Sequence, residues 1–303
     1  MGNRRRCRCR GSALRNADAA TFANTINLSA GLGVATSRRT MLEGATVRNT
    51  YAGLSNQLGL LAWDLACSGL SGEADAVATV YGGIIADEFS PDAMLDRLGE
   101  RWEIARNYFK MHAACRYTHA SLDVLQTLMH GEGGRIAPEA IESIDVDTYS
   151  WAAQLDSPTP RTMLAGKFSI PFALATTLVY GEASPQAFRQ EALDNPTIIE
   201  IAAKVRIRED MAMTAALPAE RPARLTITLK HGRRLSGETR VNRGDTETPY
   251  SFDAIVAKFR RLAHPVWGKT LSAEIERAVM GIDRAPSCRP LIDLLSTPPR
   301  AAR

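Results

Sequence analysis

The sequence predicts an α+β protein: a discontinuous all-helical domain, residues 18–109 and 251–303, interrupted by a smaller α+β lid domain over 110–250. Three observations carry that expectation. Apolar residues recur at helical spacing from about Asp18 to Phe109. Strict apolar–polar alternation, the mark of a half-buried strand, appears only in the middle of the chain. Helical spacing then returns from Ser251.

In chain order, residues 1–17 begin MGNRRRCRCRGS, a like-charge block without periodicity that predicts a disordered basic tail. Val47, Tyr51, Leu54, Leu58, Leu61 and Leu65 then alternate at spacings of four and three, the stripe of a buried helix. Ser55, Gly59, Ala62 and Ala66 form a small-residue row beside it. Ser90-Pro91 reads as an N-cap followed by proline at the first helical position. Leu95, Leu98, Trp102, Ala105 and Phe109 are expected to give that helix its core face.

A helix is expected through His119, and Gly131, Gly133 and Gly134 close it in a loop. Ile144, Val146 and Thr148 alternate as a strand, Phe168 to Val179 reads as a helix, and Val205 and Ile207 mark a second strand. Leu225, Ile227 and Leu229 alternate with threonines up to His231-Gly232, so that Leu235 to Val241 can pair back as a hairpin. Ile255, Phe259 and Leu262, then Ile275, Val279 and Ile282, then Leu291 and Leu295 restore helical spacing, and the ends are expected to fray.

The bulk numbers exclude several functions. A chain of 303 residues with 45% hydrophobic and 23% charged residues suits a globular protein with a sizeable core. Its net charge of +4 rests on Arg4, Arg5, Arg6, Arg8 and Arg10; without them 32 basic residues face 33 acidic ones. Nothing outside the tail suggests a nucleic-acid surface. Five cysteines form neither a disulfide framework nor a zinc pattern, so no metal is expected. The longest apolar run, Phe168 to Tyr180, is too short to span a bilayer, and a reducing, cytoplasmic setting follows by default.

The stretch KMHAACRYTHASLD, Lys110 to Asp123, carries the chemistry. Cys115 and His119 stand four residues apart, which on a helix puts both on one face, and Leu122 and Leu125 mark that face as inward. A lysine and a histidine brought inward suit a carboxylate-bearing ligand and proton transfer.

Four ordered blocks resemble the MmgE/PrpD family, which includes 2-methylcitrate dehydratase, cis-aconitate decarboxylase and iminodisuccinate epimerase. They are ATVRNTYAGLSNQLGLLAWDLACSGLSG, EFSPDAMLDRLGERWEIARNYFKMHAACRYTHASLD, AGKFSIPFALATTLVYG and RVNRGDTETPYSFDAIVAKF, covering most of Ala30 to Leu295. The resemblance implies a helical domain interrupted by an α+β lid, an active site in the cleft between them, a homodimer, and no organic cofactor. It implies a lyase-type enzyme acting on a small di- or tricarboxylate, most like 2-methylcitrate dehydratase, with decarboxylation or epimerisation as alternatives within the family.

Residue by residue, the resemblance implies catalytic roles for Lys110 and His119. Arg48, Tyr51, Cys115 and Ser169 form the implied substrate-binding set. Arg48 stands where the family commonly has lysine; it keeps the charge but cannot carry a proton. Phe172 replaces a tyrosine found in several members. The family's aspartate-rich Asp-Asp-x-x-His-type segment has no counterpart before Ala30, so the sequence reads as N-terminally truncated, with a non-catalytic carboxylate-binding remnant as the competing function.

Overall fold

The computed structural model describes residues 17–33 and 36–298. The arginine-rich start and the chain after Pro298 lie outside the described residues, so the expected disordered tail and frayed terminus fall there. The molecule is mixed helix and sheet.

Its centre is a four-stranded sheet in the order β2-β1-β3-β4. Strand β1 is Ile141–Thr148, β2 Val205–Glu209, β3 Ala223–Leu229 and β4 Arg234–Thr239. β1 runs parallel to β2 and antiparallel to β3, which pairs with β4 in the hairpin foreseen at His231-Gly232. The alternation works as the sequence suggests: Ala223, Leu225, Ile227 and Leu229 all point inward.

Two helices build the core on the inward face, the first packed on β3 and β4 and the second packed on the first. Helix α3, His119–Gly131, buries Leu122, Val124 and Leu125. Gly237 on β4 leaves room there, since a Cβ would stand 3.0 Å from the Val124 side chain. Helix α4, Ile170–Tyr180, begins at Ser169, whose side chain accepts from the Phe172 N–H at 3.0 Å. It buries Ile170, Phe172, Leu174 and Leu178, and packs on α5, Pro196–Ala203. The continuous apolar core runs from Ala114 to Leu235.

The flanking stretches differ from expectation in packing more than in helicity. Helix α1, Ala19–Gly31, packs on α2, Tyr51–Cys67. The stripe foreseen on α2 is only partly covered: Leu54 and Leu61 remain exposed, and Ala62 and Trp63 are its buried residues. Ser90 caps a helix as predicted, but that helix spans only Pro91–Leu95. Arg97 adopts a left-handed φ of 53°, which ends helical continuation, and Leu95, Leu98, Trp102 and Phe109 are 54–75% exposed rather than a core face. Helix α6, Phe252–Met280, is kinked at Gly268 beside Pro265, so its two halves fold back and the Arg260–Glu276 ion pair joins them. Helix α7, Arg289–Leu295, follows and packs on α6. No helix of the described residues is long and apolar enough to cross a membrane.

Candidate active site

The Lys110–Cys115 segment is fixed along its length before it delivers any side chain. Phe109 N–H donates to Gly244 O at 2.9 Å, Ala113 N–H to Ala183 O at 2.8 Å and Cys115 N–H to Lys167 O at 2.8 Å. Gly244 has a φ of 88°, and a Cβ there would lie 2.3 Å from the Phe109 carbonyl, so only glycine permits this approach. Its neighbour Asp245 pairs with Arg116. The Gly244-Asp245 pair, inside the quoted RVNRGDTETPYSFDAIVAKF block, thus clamps both ends of the segment.

A second close approach brings in the opposite wall. Gly44, at φ 72°, seats against Thr162 and Ala165; a Cβ there would be 2.3 Å from Thr162 Oγ1 and 2.7 Å from the Ala165 backbone nitrogen. This contact docks residues 38–48 on the mixed region. Arg38 continues it, donating to the Trp151 carbonyl at 2.6 Å.

Between these walls lies a cavity of about 310 Å³. Arg38, Arg48, Lys110, Arg116 and Arg221 line it together with Tyr108, Cys115 and Tyr117, and none of the described residues lining it is acidic. Of the five cations, only Arg116 has a carboxylate within ion-pair distance among the described residues. Aromatic rings lie beside three of the guanidinium groups: Arg38 is 5.9 Å from the Tyr117 ring centroid, Arg48 6.0 Å from that of Tyr51, and Arg116 4.1 Å from that of Tyr108. The Nε atoms of Arg116 and Arg221 are buried donors without a partner among the described residues. Unsatisfied buried guanidinium nitrogens are costly unless a ligand meets them.

The structure therefore brings Arg48, Lys110 and Cys115 to one cavity. Tyr51 stands behind Arg48. Ser169 is fully buried, its hydroxyl donating to the Ser157 carbonyl while it caps α4. His119 is also fully enclosed and does not line the cavity. The shared face expected of Cys115 and His119 does not form, because Cys115 precedes the single turn Arg116–Thr118 and α3 begins only at His119.

His119 instead acts from behind. Its Nε2 donates to the Ala114 carbonyl at 3.3 Å, and the Lys110 ammonium reaches the same oxygen at 3.5 Å. Burial, reinforced by neighbouring His112, pushes the His119 pKa down to about 3, so the ring is neutral at ordinary pH. Burial also raises the Cys115 thiol, against the pull of a backbone hydrogen bond and of Lys110, Arg38 and Arg48, and keeps it protonated.

Two features escaped the sequence reading. Arg38, Arg116 and Arg221 come from separate segments, and only Arg116 lay within a quoted block, without being singled out. His112, which lay inside the motif, is 3% exposed and pairs with Asp123 at 3.0 Å. The second Asp123 oxygen accepts from the Arg243 N–H at 2.7 Å.

The MmgE/PrpD C-terminal domain model matches residues 112–284, more than half of the chain. This protein belongs to the MmgE/PrpD family. Among similar proteins, a cis-aconitate decarboxylase of Aspergillus terreus is 23% identical, over 84% of this chain and 56% of its own length. A cis-aconitate decarboxylase-like protein, oryM, of Aspergillus oryzae is 22% identical, over 82% of this chain and 54% of its own length. The chain thus spans about half the length of the curated relatives it matches.

Proposed function

We propose that this MmgE/PrpD protein is a lyase-type enzyme, independent of an organic cofactor, that binds a small tricarboxylate of the cis-aconitate type in the Arg38–Arg48–Lys110–Arg221 cavity. The observation that carries the reading is the one-sided charge: four cations without a carboxylate partner face a space large enough for a compact tricarboxylate. Arginine forks suit carboxylates bidentately and hold them by charge-assisted bonds. Arg48, Arg38 and Arg221 would anchor carboxylates, and Lys110, backed by His119 through the Ala114 carbonyl, would be the proton donor.

The same charge pattern favours decarboxylation over dehydration. Loss of carbon dioxide leaves an electron pair on carbon, which cations stabilise and one proton then quenches. Dehydration of 2-methylcitrate also needs a base to remove a proton next to a carboxylate. No acidic residue lines the cavity among the described residues, the neutral His119 ring is enclosed, and the Cys115 thiol stays protonated. The names of the two Aspergillus relatives support the same choice. The family's homodimer belongs to this proposal, and the exposed apolar residues of the helical stretches would suit it.

Calorimetric titration with cis-aconitate and 2-methylcitrate, beside assays of carbon dioxide release and water loss, tests the reading. We expect Arg48→Ala and Arg221→Ala each to weaken cis-aconitate binding by about tenfold or more, the value of one charge-assisted contact. Lys110→Ala should cost turnover more than binding. Absence of tricarboxylate binding by the folded protein, or binding indifferent to both arginine substitutions, overturns it.

A further inference from the structure

A second cavity, of about 410 Å³, backs on to the same Lys110–Cys115 segment and shares no lining residue with the first. His112, Gln126, Arg243, Tyr250, Lys258 and Arg261 face it, with Glu182 at its edge. Its cations outnumber its carboxylates. Arg261 is matched by Glu182 at 2.6 Å, but neither Arg243 nor Lys258 has a carboxylate within 4.0 Å among the described residues.

The floor of this cavity is already satisfied. Each oxygen of buried Asp123 has a partner, one His112 and the other the Arg243 backbone N–H, and neither lies within ion-pair distance of the Arg243 guanidinium. That guanidinium instead lies 5.2 Å from the Tyr250 ring centroid. Lys258 donates to the Lys110 carbonyl, a neutral acceptor that leaves its charge uncompensated. Burial, with Arg261 and Lys110 nearby, lowers the Lys258 pKa, the sign of an ammonium short of negative charge.

We propose that this cavity is a second anion site, in which Arg243 and Lys258 hold a compact dianion, either a phosphate or a small dicarboxylate. A guanidinium fork beside an ammonium meets the two charged oxygens common to both ligands. The site stands independently of the function proposed for the first cavity. Through the hold of Lys258 on the Lys110 carbonyl, its occupant would touch the segment that carries Lys110.

The test titrates purified full chain with inorganic phosphate and, separately, with succinate, at constant ionic strength. Arg243→Ala and Lys258→Met form one arm, and Arg48→Ala and Arg221→Ala the other. Urea unfolding confirms that each variant folds. We expect Arg243→Ala and Lys258→Met each to weaken one binding isotherm by about tenfold or more, while Arg48→Ala and Arg221→Ala leave it in place. A stronger response to phosphate or to succinate identifies the source. The proposal is overturned if neither dianion binds, or if Arg243→Ala and Lys258→Met leave all binding unchanged. Binding lost with Arg48→Ala alone also overturns it, by assigning the anion to the first cavity.

Discussion

Residues 112–242 and the helical stretches on either side of them are similarly rich in apolar side chains, yet they use them differently. The middle region closes a core around its sheet that reaches from Ala114 to Leu235. Outside it, the buried apolar residues among those described are Ala30, Ala62, Trp63, Ala76, Ala263 and Ile275, mostly small. The difference teaches that periodicity specifies which face of a helix is apolar, whereas burial needs a second face to meet it. It also explains where the candidate site sits: the rigid middle region holds the Lys110 segment, and the 38–48 stretch brings Arg38 and Arg48 to it.

The sharpest way to break that comparison is to delete apolar volume in the middle region. Phe172 is 1% exposed, and its ring lies 6.1 Å from that of Phe188. Phe172→Ala should cost about 3–5 kcal/mol of stability by leaving a cavity among neighbours that cannot collapse. Urea unfolding of the variant measures this directly. A loss below about 1 kcal/mol would mean that the core around α4 is far looser than its burial suggests.

Where sequence patterns spoke about local neighbours they were legible. The Leu225–Leu229 alternation, the His231-Gly232 turn and the Ser90-Pro91 helix start all depend on residues within a few positions of each other. The cation-lined cavity was only half legible. Arg48 and Lys110 lay in recognisable blocks, but Arg38 and Arg221 converge on them from 10 and more than 100 residues away, through the Gly44 contact and the approach to β3. The helix read through Phe109 failed for a related reason. Its apolar spacing was real, but the left-handed residue at Arg97 interrupts it.

His119 offers a subtler probe of the middle region, because its contribution depends on pH. The folded state keeps the ring neutral down to about pH 3, whereas the unfolded chain takes up a proton near the ordinary histidine value of 6.5. The unfolded state therefore binds more protons between those values. Stability is full above about pH 6.5 and falls as pH drops towards 3, by up to about 1.4 kcal/mol per unit. His119→Gln keeps a donor for the Ala114 carbonyl and removes the titration. Its stability should change less between pH 7 and pH 5 than that of the parent (~1–2 kcal/mol difference). Parallel pH profiles for the two proteins would show that the ring is solvated.

Gly44→Ala asks whether the 38–48 stretch depends on its docking contact. The new Cβ would press on Thr162 and Ala165, and alanine pays about 1 kcal/mol or more for a left-handed backbone. The core does not include Gly44, so the loss of global stability should stay small, while Arg38 and Arg48 move together. We expect cis-aconitate affinity to fall by about tenfold or more with the unfolding midpoint nearly unchanged. Unchanged affinity would detach Arg48 from the candidate site.

The smallest effect is expected where the most apolar surface is open. Leu98 and Ile104 are 75% and 78% exposed, on a stretch that contains only a short turn of helix after Leu95. Replacing both by serine removes no buried contact from the chain itself, so the unfolding free energy should shift by no more than about 0.5 kcal/mol. Solubility should rise as exposed apolar area is lost. Measured at low protein concentration, a cost above about 1.5 kcal/mol would place these residues in a packed environment, and the contrast between the two regions would no longer hold. If that cost appears only at high concentration, the surface is covered by a second copy, because stability that rides on association follows mass action.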